Sequence, residues 1–272
     1  MGANIGKVFF GTNVVYGQAG GGITPPIPLF VTESLVAYFD TSNTTTFANG
    51  EQEIRSIDTY SGTTNITGSF NGTLGSGSEG GNTYITLSGS GASNYIDLNG
   101  YSLFTNNRDS GSVEMWVSAS DYQTSTSGQA RALINTQDGR DKGLYYGYWA
   151  GTPAIGGQQA YSGLFDSDTF YPAASGSNAP AGWHQVVYTW DLVGGNHYIY
   201  IDGVQKDSFS YTNTGGGIAD TVWIGGSPGG SGTAIYTEVS EFGWMVLRIY
   251  DDVLTSDEVL TNYNYDKSKV GL

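Results

Sequence analysis

After Ser34, apolar and polar residues alternate with a period of two along most of the chain, the mark of strands with one face on a core. In residues 182–191 (GWHQVVYTWD), Trp183, Gln185, Val187, Thr189 and Asp191 oppose His184, Val186, Tyr188 and Trp190. Both sets carry apolar residues, which suits a strand near the middle of a two-sheet sandwich. In residues 111–120 (GSVEMWVSAS), Val113, Met115 and Val117 alternate with Glu114, Trp116 and Ser118. Strict alternation over residues 239–250 sets Phe242, Trp244, Val246, Arg248 and Tyr250 against Gly243, Met245, Leu247 and Ile249. In residues 197–205 (HYIYIDGVQ), Ile199 and Ile201 face a core, Tyr198 and Tyr200 face away, and Asp202-Gly203 makes a tight hairpin turn.

The same pattern predicts a first strand in 34–40 and others at 83–88, 94–98, 111–119, 131–135, 143–149, 183–191, 196–202, 206–211, 220–225 and 239–250. Clusters of Gly, Ser, Asn and Asp separate them. Residues 61–82 read as loop with short strands, and residues 150–181 as a long Gly/Ala/Ser-rich insertion. Loops of that length are usually functional or interfacial. One helix stands out at 254–265: Thr255 is the N-cap, Glu258 completes a capping box, and Leu254 with Val259 forms a hydrophobic staple. It is expected to lie over one end of the sheets.

The N-terminus differs. Residues 5–16 (IGKVFFGTNVVY) predict two short strands about a Gly11-Thr12-Asn13 turn, too little sheet to be stable alone. GQAGGG and ITPPIP then supply a flexible tether and a stiff extended piece. The expected organisation is a hairpin and tether over residues 1–30, followed by a single all-β domain over residues 31–272. In that reading Val8, Phe9, Phe10, Val14, Val15 and Tyr16 are the anchoring residues.

Composition narrows the function classes. Charged residues are only 13% and the net charge is −15, so a nucleic-acid partner, which needs clustered Lys and Arg, is not expected. With no cysteine there is no disulfide framework, thiol nucleophile or thiolate zinc site. No stretch reaches the ~20 apolar residues of a membrane-spanning helix. The opening MGANIGKVFF lacks a signal-peptide core, so synthesis in a cytoplasm is expected.

The order LVAYFDTSNTTTF, SNYIDLNGYSLFT, GSVEMWVSAS, GLYYGYW, GWHQVVYTWD, HYIYIDGVQ, VWIGGSPGG and VLRIYDDVLTSDEV resembles the laminin-G-like, or concanavalin A-like, lectin/glucanase family over residues 34–272. The resemblance implies an all-β, two-sheet antiparallel jelly-roll sandwich with an N-terminal hairpin arm and a short C-terminal helix. KVFFGTNVVYG is similar to short anchoring segments of phage tail and capsid-associated proteins, and NYNYDKSKVGL to the ends of modules in phage structural proteins.

Glucanases of this fold carry alternating carboxylates on one strand, an acid and a nucleophile on the same face. The matching stretch here offers Glu114 alone, with Trp116 and Ser118 at the other two places. Glu238 and Glu241 are three apart and face opposite sides of a strand. Of the two histidines, His184 sits inside a strand as a structural residue, and His197 opens a strand as an exposed one. No catalytic residue is therefore assigned.

The resemblance implies a rim site for Ca²⁺, the one candidate ion, with no cofactor required. Asn135, Asp138 and Asp141 in NTQDGRDKG offer hard oxygen ligands in one acidic turn. For carbohydrate, the candidates are Tyr145, Tyr146, Tyr148, Trp149, Tyr161 and Tyr171, whose rings could stack on pyranose faces. The function implied is a virion structural protein of a tailed bacteriophage, located in the virion. It would be held to other virion proteins through residues 1–30, form a homo-oligomer such as a trimer, and meet a host-surface glycan. A free lectin-like module of a bacterial surface or secreted protein is the alternative.

Overall fold

The computed structural model describes residues 6–10, 13–17, 29–43, 46–47, 53–57, 66–72, 74–87, 95–99, 110–119, 129–136, 143–149, 152–159, 169–172, 181–191, 193–210, 222–225 and 242–272. Strands β1 (Gly6–Phe10) and β2 (Asn13–Gly17) form a two-stranded sheet of their own, with Phe10 opposite Asn13. Asn13 thus opens β2 instead of completing the turn.

Sixteen further strands follow: β3 (Leu35–Asp40), β4 (Glu53–Arg55), β5 (Thr67–Asn71), β6 (Leu74–Glu79), β7 (Asn82–Leu87), β8 (Tyr95–Asp97), β9 (Ser110–Ala119) and β10 (Gln129–Thr136) in the first half. The second half holds β11 (Gly143–Trp149), β12 (Thr152–Gln159), β13 (Thr169–Pro172), β14 (Gly182–Asp191), β15 (Asn196–Ile201), β16 (Val204–Ser210), β17 (Val222–Ile224) and β18 (Phe242–Tyr250). Helix α1 (Ser256–Asp266) and a 3₁₀ turn (Lys267–Val270) close the chain. One eight-stranded sheet runs β13-β12-β11-β10-β17-β8-β5-β4. The other runs β16-β15-β14-β9-β18-β7-β6, with β3 also paired to β18. All these pairs are antiparallel, and the sequence-distant neighbours β10-β17-β8 and β14-β9-β18 make the sandwich a jelly roll.

The 150–181 insertion is not simply a loop, since β12 and β13 extend the first sheet at its edge. The sequence TPAIGGQQ hides this, because its pairing to β11 is made by backbone and its side chains show no apolar alternation.

Between the sheets lies one core, built from Val113, Met115, Val117, Val186, Tyr188, Ile199 and Ile201 on one side and Ile54, Ile96, Leu133, Ile134 and Ile224 on the other. The opening expectation for HYIYIDGVQ therefore holds: Ile199 and Ile201 enter this core, and Tyr200 joins a second cluster on the far face. The turn is a two-residue loop with Asp202 at φ 53° and Gly203 at φ 75°, a pair of left-handed residues that matches the strand twist.

A β-bulge corrects the alternation in β18. Against β9, Trp244 pairs with Val117 and Val246 with Trp116, so Met245 is an extra residue. Phe242, Trp244, Leu247 and Ile249 consequently share the inner core, while Met245, Val246 and Tyr250 join the outer cluster. The Met245 carbonyl is satisfied by the Thr41 amide at 2.8 Å.

Helix α1 starts as the sequence requires. The Glu258 amide donates to Thr255 Oγ1 at 3.3 Å, and the Thr255 amide donates to Glu258 Oε2 at 2.8 Å. Leu254 and Val259 are both buried. The helix lies not over an end of the sheets but across the outer face of the β14-β9-β18 sheet, where Val259 and Val270 pack with Trp116, Val187, Tyr200 and Val246. Phe30 already belongs to this layer, packed on Tyr38 and Tyr265.

Candidate functional site

Beneath α1, the outer face of that sheet is closed by ions. Glu114 is fully buried and accepts from Gln185 Nε2 at 2.7 Å, Asn262 Nδ2 at 2.7 Å and Arg248 Nη1 at 3.1 Å. Arg248 also meets Asp266 at 2.6 Å, and its guanidinium lies 4.2 Å from the Phe30 ring centre. Burial opposes the charge of Arg248, yet Asp266 and Glu114 outweigh it and hold the guanidinium's pKa well above its usual value. Burial raises the Glu114 pKa, with Arg248 opposing the rise. Lys269 bridges Asp266 at 2.9 Å and Asp40 at 2.6 Å, which ties the last turn to β3. Glu114 has both carboxylate oxygens engaged and no exposure, so it does not reach a substrate.

The histidines are also spoken for. His184 Nδ1 lies 2.8 Å from Asp202 Oδ2 at the β15–β16 turn. His197 is buried, not exposed, with Nδ1 2.9 Å from the Tyr188 hydroxyl. Strand parity explains the correction, because His197 alternates with Ile199 and Ile201 on the core side.

The predicted carbohydrate residues lie on the other sheet. β11 carries Tyr145, Tyr146, Tyr148 and Trp149, with Tyr145 opposite Ala132 and Gly156, and Tyr146 opposite Arg131 and Ile155. Tyr171 sits in β13 opposite Gly157, and Tyr161 lies outside the described residues. For the metal proposal, Asn135 falls within β10 opposite Trp223, while Asp138 and Asp141 lie outside the described residues. Among the described residues no group of three His, Cys, Asp or Glu side chains could hold a metal ion. The anchoring residues Val8, Phe9 and Phe10 lie in β1, and Val14, Val15 and Tyr16 in β2.

The outer face of the same sheet, around β17-β8-β5, carries a cluster that sequence reasoning missed. Register sets Asp97 opposite Ser69 on one side and Trp223 on the other, with Tyr95 diagonal to Trp223. The Tyr95 and Trp223 rings meet edge to face with centres 6.4 Å apart. Asn99, left-handed at φ 50°, donates its amide to Asp97 Oδ1 at 2.8 Å and its side chain to Thr67 Oγ1 at 3.0 Å. Its Oδ1 accepts from Ser69 Oγ at 3.1 Å. Burial, and then the charge of Asp97, raise the pKa of the Tyr95 hydroxyl. The usable signal was the alternation Tyr95-Ile96-Asp97-Leu98 and Val222-Trp223-Ile224, in which the apolar residues Ile96, Leu98, Val222 and Ile224 fill the core and the others point out.

A family model described as the concanavalin A-like lectin/glucanases superfamily matches residues 90–260. The chain belongs to this superfamily. Among solved structures, the binding domain of botulinum neurotoxin DC in complex with SialylT is similar at 12% identity and a TM-score of 0.57, over 86% of this chain and 51% of that one. The same binding domain in complex with rat synaptotagmin II gives 12% identity and a TM-score of 0.58, over 86% and 52%. Domain 4 of AbnA, an extracellular GH43 arabinanase from Geobacillus stearothermophilus, in complex with arabinotriose, gives 16% identity and a TM-score of 0.53, over 85% and 98%. This chain thus spans about half the length of the neurotoxin binding domains and nearly all of the arabinanase domain. At these identities the likeness shows the fold. A comparison with curated proteins found no match. No helix among the described residues is long and apolar enough to cross a membrane.

Proposed function

We propose that this chain is a non-enzymatic virion component of a tailed bacteriophage that displays a concanavalin A-like jelly roll for adhesion to host glycans. The observation that carries the adhesion reading is the contrast between the outer faces: one is sealed by α1, the other leaves Tyr95 and Asp97 half-buried and Asn99 exposed. Two structural neighbours support it, since one is complexed with SialylT and the other with arabinotriose. The virion reading is supported by the self-paired β1–β2 hairpin and by the phage-like character of its sequence. In it, residues 1–30 form the anchoring segment and residues 31–272 the displayed domain, assembled as a homo-oligomer such as a trimer. Tyr145, Tyr146, Tyr148, Trp149, Tyr161 and Tyr171 are secondary sugar-contact candidates, and Asn135, Asp138 and Asp141 the Ca²⁺ candidates.

The test compares the full chain with a version lacking residues 1–28, which spares the buried Phe30. Each is assayed on phage particles from lysates and on a glycan array, with and without Ca²⁺. Particle binding that disappears on truncation, with glycan binding retained, is the expected result. Glycan binding with no particle binding by either form makes the chain a free lectin-like module. Loss of glycan binding with chelator brings Asp138 and Asp141 in as ligands.

A further inference from the structure

We propose that β6 is a docking edge for a second copy of this chain, pairing antiparallel with the same strand of its partner about a two-fold axis at Ser76. The proposal rests on the self-assembly part of the reading above, not on its glycan or virion parts. It names a contact and its symmetry, and that contact can join whole oligomers as well as single copies.

A bare sheet edge shows a row of unpaired amides and carbonyls, and proteins usually block it. The other edges of the sandwich are blocked here. β16 is bulged against Ile199 and Tyr200, and its Ser208 amide is taken by Asp207 Oδ1 at 2.8 Å. β13 ends in Pro172, which has no amide hydrogen. In β4 the Arg55 amide donates to the Thr46 carbonyl at 2.9 Å, and in β3 the Tyr38 carbonyl accepts from the Ile57 amide at 2.7 Å. β6 (LGSGSE) has no proline, lysine or bulge, and among the described residues it pairs with β7 alone.

Register defines which groups are free. Glu79 and Asn82 flank the two-residue Gly80-Gly81 turn as a hydrogen-bonded pair. Alternation then turns the amides and carbonyls of Ser78, Ser76 and Leu74 away from β7. A second β6 centred on Ser76 sets that residue opposite itself and Leu74 opposite the partner's Ser78. All these pairs fall in hydrogen-bonding register, about six bonds across the seam. Between them, Gly75 faces the partner's Gly77, so no side chains crowd the outer face. β7 keeps both positions bare, because a Cβ at Gly75 would run into Thr86 Oγ1 and one at Gly77 into the Tyr84 ring. The only charge on β6 and β7 is Glu79, and this register holds the two copies of it at opposite ends. Like charges therefore do not meet at the seam, although the chain carries −15. One strand pair is smaller than a stable interface, so the dimer is weak and tightens as salt screens the net charge.

Sedimentation velocity of the full chain over a rising concentration series, at low and high salt, tests the proposal. A monomer–dimer equilibrium that tightens with salt is expected. Ser76→Lys sets two ammonium groups face to face on the axis and is expected to weaken association about ten-fold or more. Its thermal melting should match wild type, since Ser76 is exposed. The chain has no cysteine, so single cysteines report geometry directly. Across the axis the Cα atoms at position 76 lie roughly 5.5 Å apart and those at position 78 about 14 Å apart. With a short bis-maleimide, Ser76→Cys is therefore expected to form a covalent dimer about ten-fold faster than Ser78→Cys. Should Ser76→Lys unfold, the cross-linking comparison decides alone. A chain that stays monomeric throughout overturns the proposal. So does association that Ser76→Lys leaves intact, or cross-linking at equal rates from the two positions. None of these results touches glycan or particle binding, which the array and particle assays read separately.

Discussion

The two outer faces of the sandwich solve opposite problems. On the β14-β9-β18 sheet, Glu114, Arg248, Gln185 and Asn262 are fully buried polar residues, and each finds partners once α1 is in place. On the β17-β8-β5 sheet, Tyr95 and Asp97 are only half-buried and Asn99 is exposed, so their polar atoms stand at the solvent boundary. The first pattern is what a protein does to close a surface, since a buried charge is tolerable only when paired. The second leaves polar side chains within reach of solvent. The buried ionic cluster around Glu114 and Arg248 is therefore structural.

Breaking the closed face is expected to have the largest effect. Arg248→Ala strands Glu114 as a buried charge without a cation and leaves Asp266 with Lys269 alone, and a loss of about 3–5 kcal/mol in urea unfolding is expected. The same variant made together with Glu114→Gln should recover part of that loss, because one stranded charge is gone. Thr255→Ala removes the N-cap of α1 and is expected to lower stability by about 1 kcal/mol, read as a shift in the urea midpoint.

Acid probes the closed face more gently. Burial opposes the charge of Asp40, but Lys269 and the hydrogen bonds from Ser42 and Tyr38 lower its pKa in the fold from the ordinary 3.8. A carboxyl lowered in the folded state contributes stability that is full above its ordinary value and lost as pH falls through the folded one. Glu114, raised by burial, works the other way. Comparison with Asp40→Asn isolates the first contribution: wild type should be the more stable near neutrality, and its advantage should vanish well below pH 3.8. An advantage that persists in strong acid would contradict the Lys269–Asp40 assignment.

The smallest stability effect is expected on the open face. Asp97→Asn should change unfolding by no more than about 0.5 kcal/mol, since the side chain is half-buried and lies outside the buried ion network. A large destabilisation there would erase the contrast between the faces.

Much of the fold was legible in the chain. The strands around Val113–Val117, Val186–Trp190 and Ile199–Ile201 are apolar at alternate positions, and the Asp202-Gly203 turn and the Thr255/Glu258 box are local signals that tertiary packing did not override. What escaped depends on partners distant in sequence. The bulge at Met245 is set by β9 and β3, so nothing in residues 239–250 shows it. Glu114 reads as an active-site candidate until Arg248 and Asn262, far along the chain, are brought onto it. The open-face cluster is likewise divided between β8 and the distant β17, and neither segment alone shows that Tyr95 and Asp97 meet Trp223.

Amide hydrogen exchange on the full chain, with and without whichever of arabinotriose, lactose or N-acetyllactosamine binds most tightly, tests the central claim most directly. The account predicts slowed exchange in Tyr95–Asp97 and Val222–Ile224, with α1 and β14 unchanged. Slowing confined to α1 and β14, or no slowing with any of the three sugars, would contradict it.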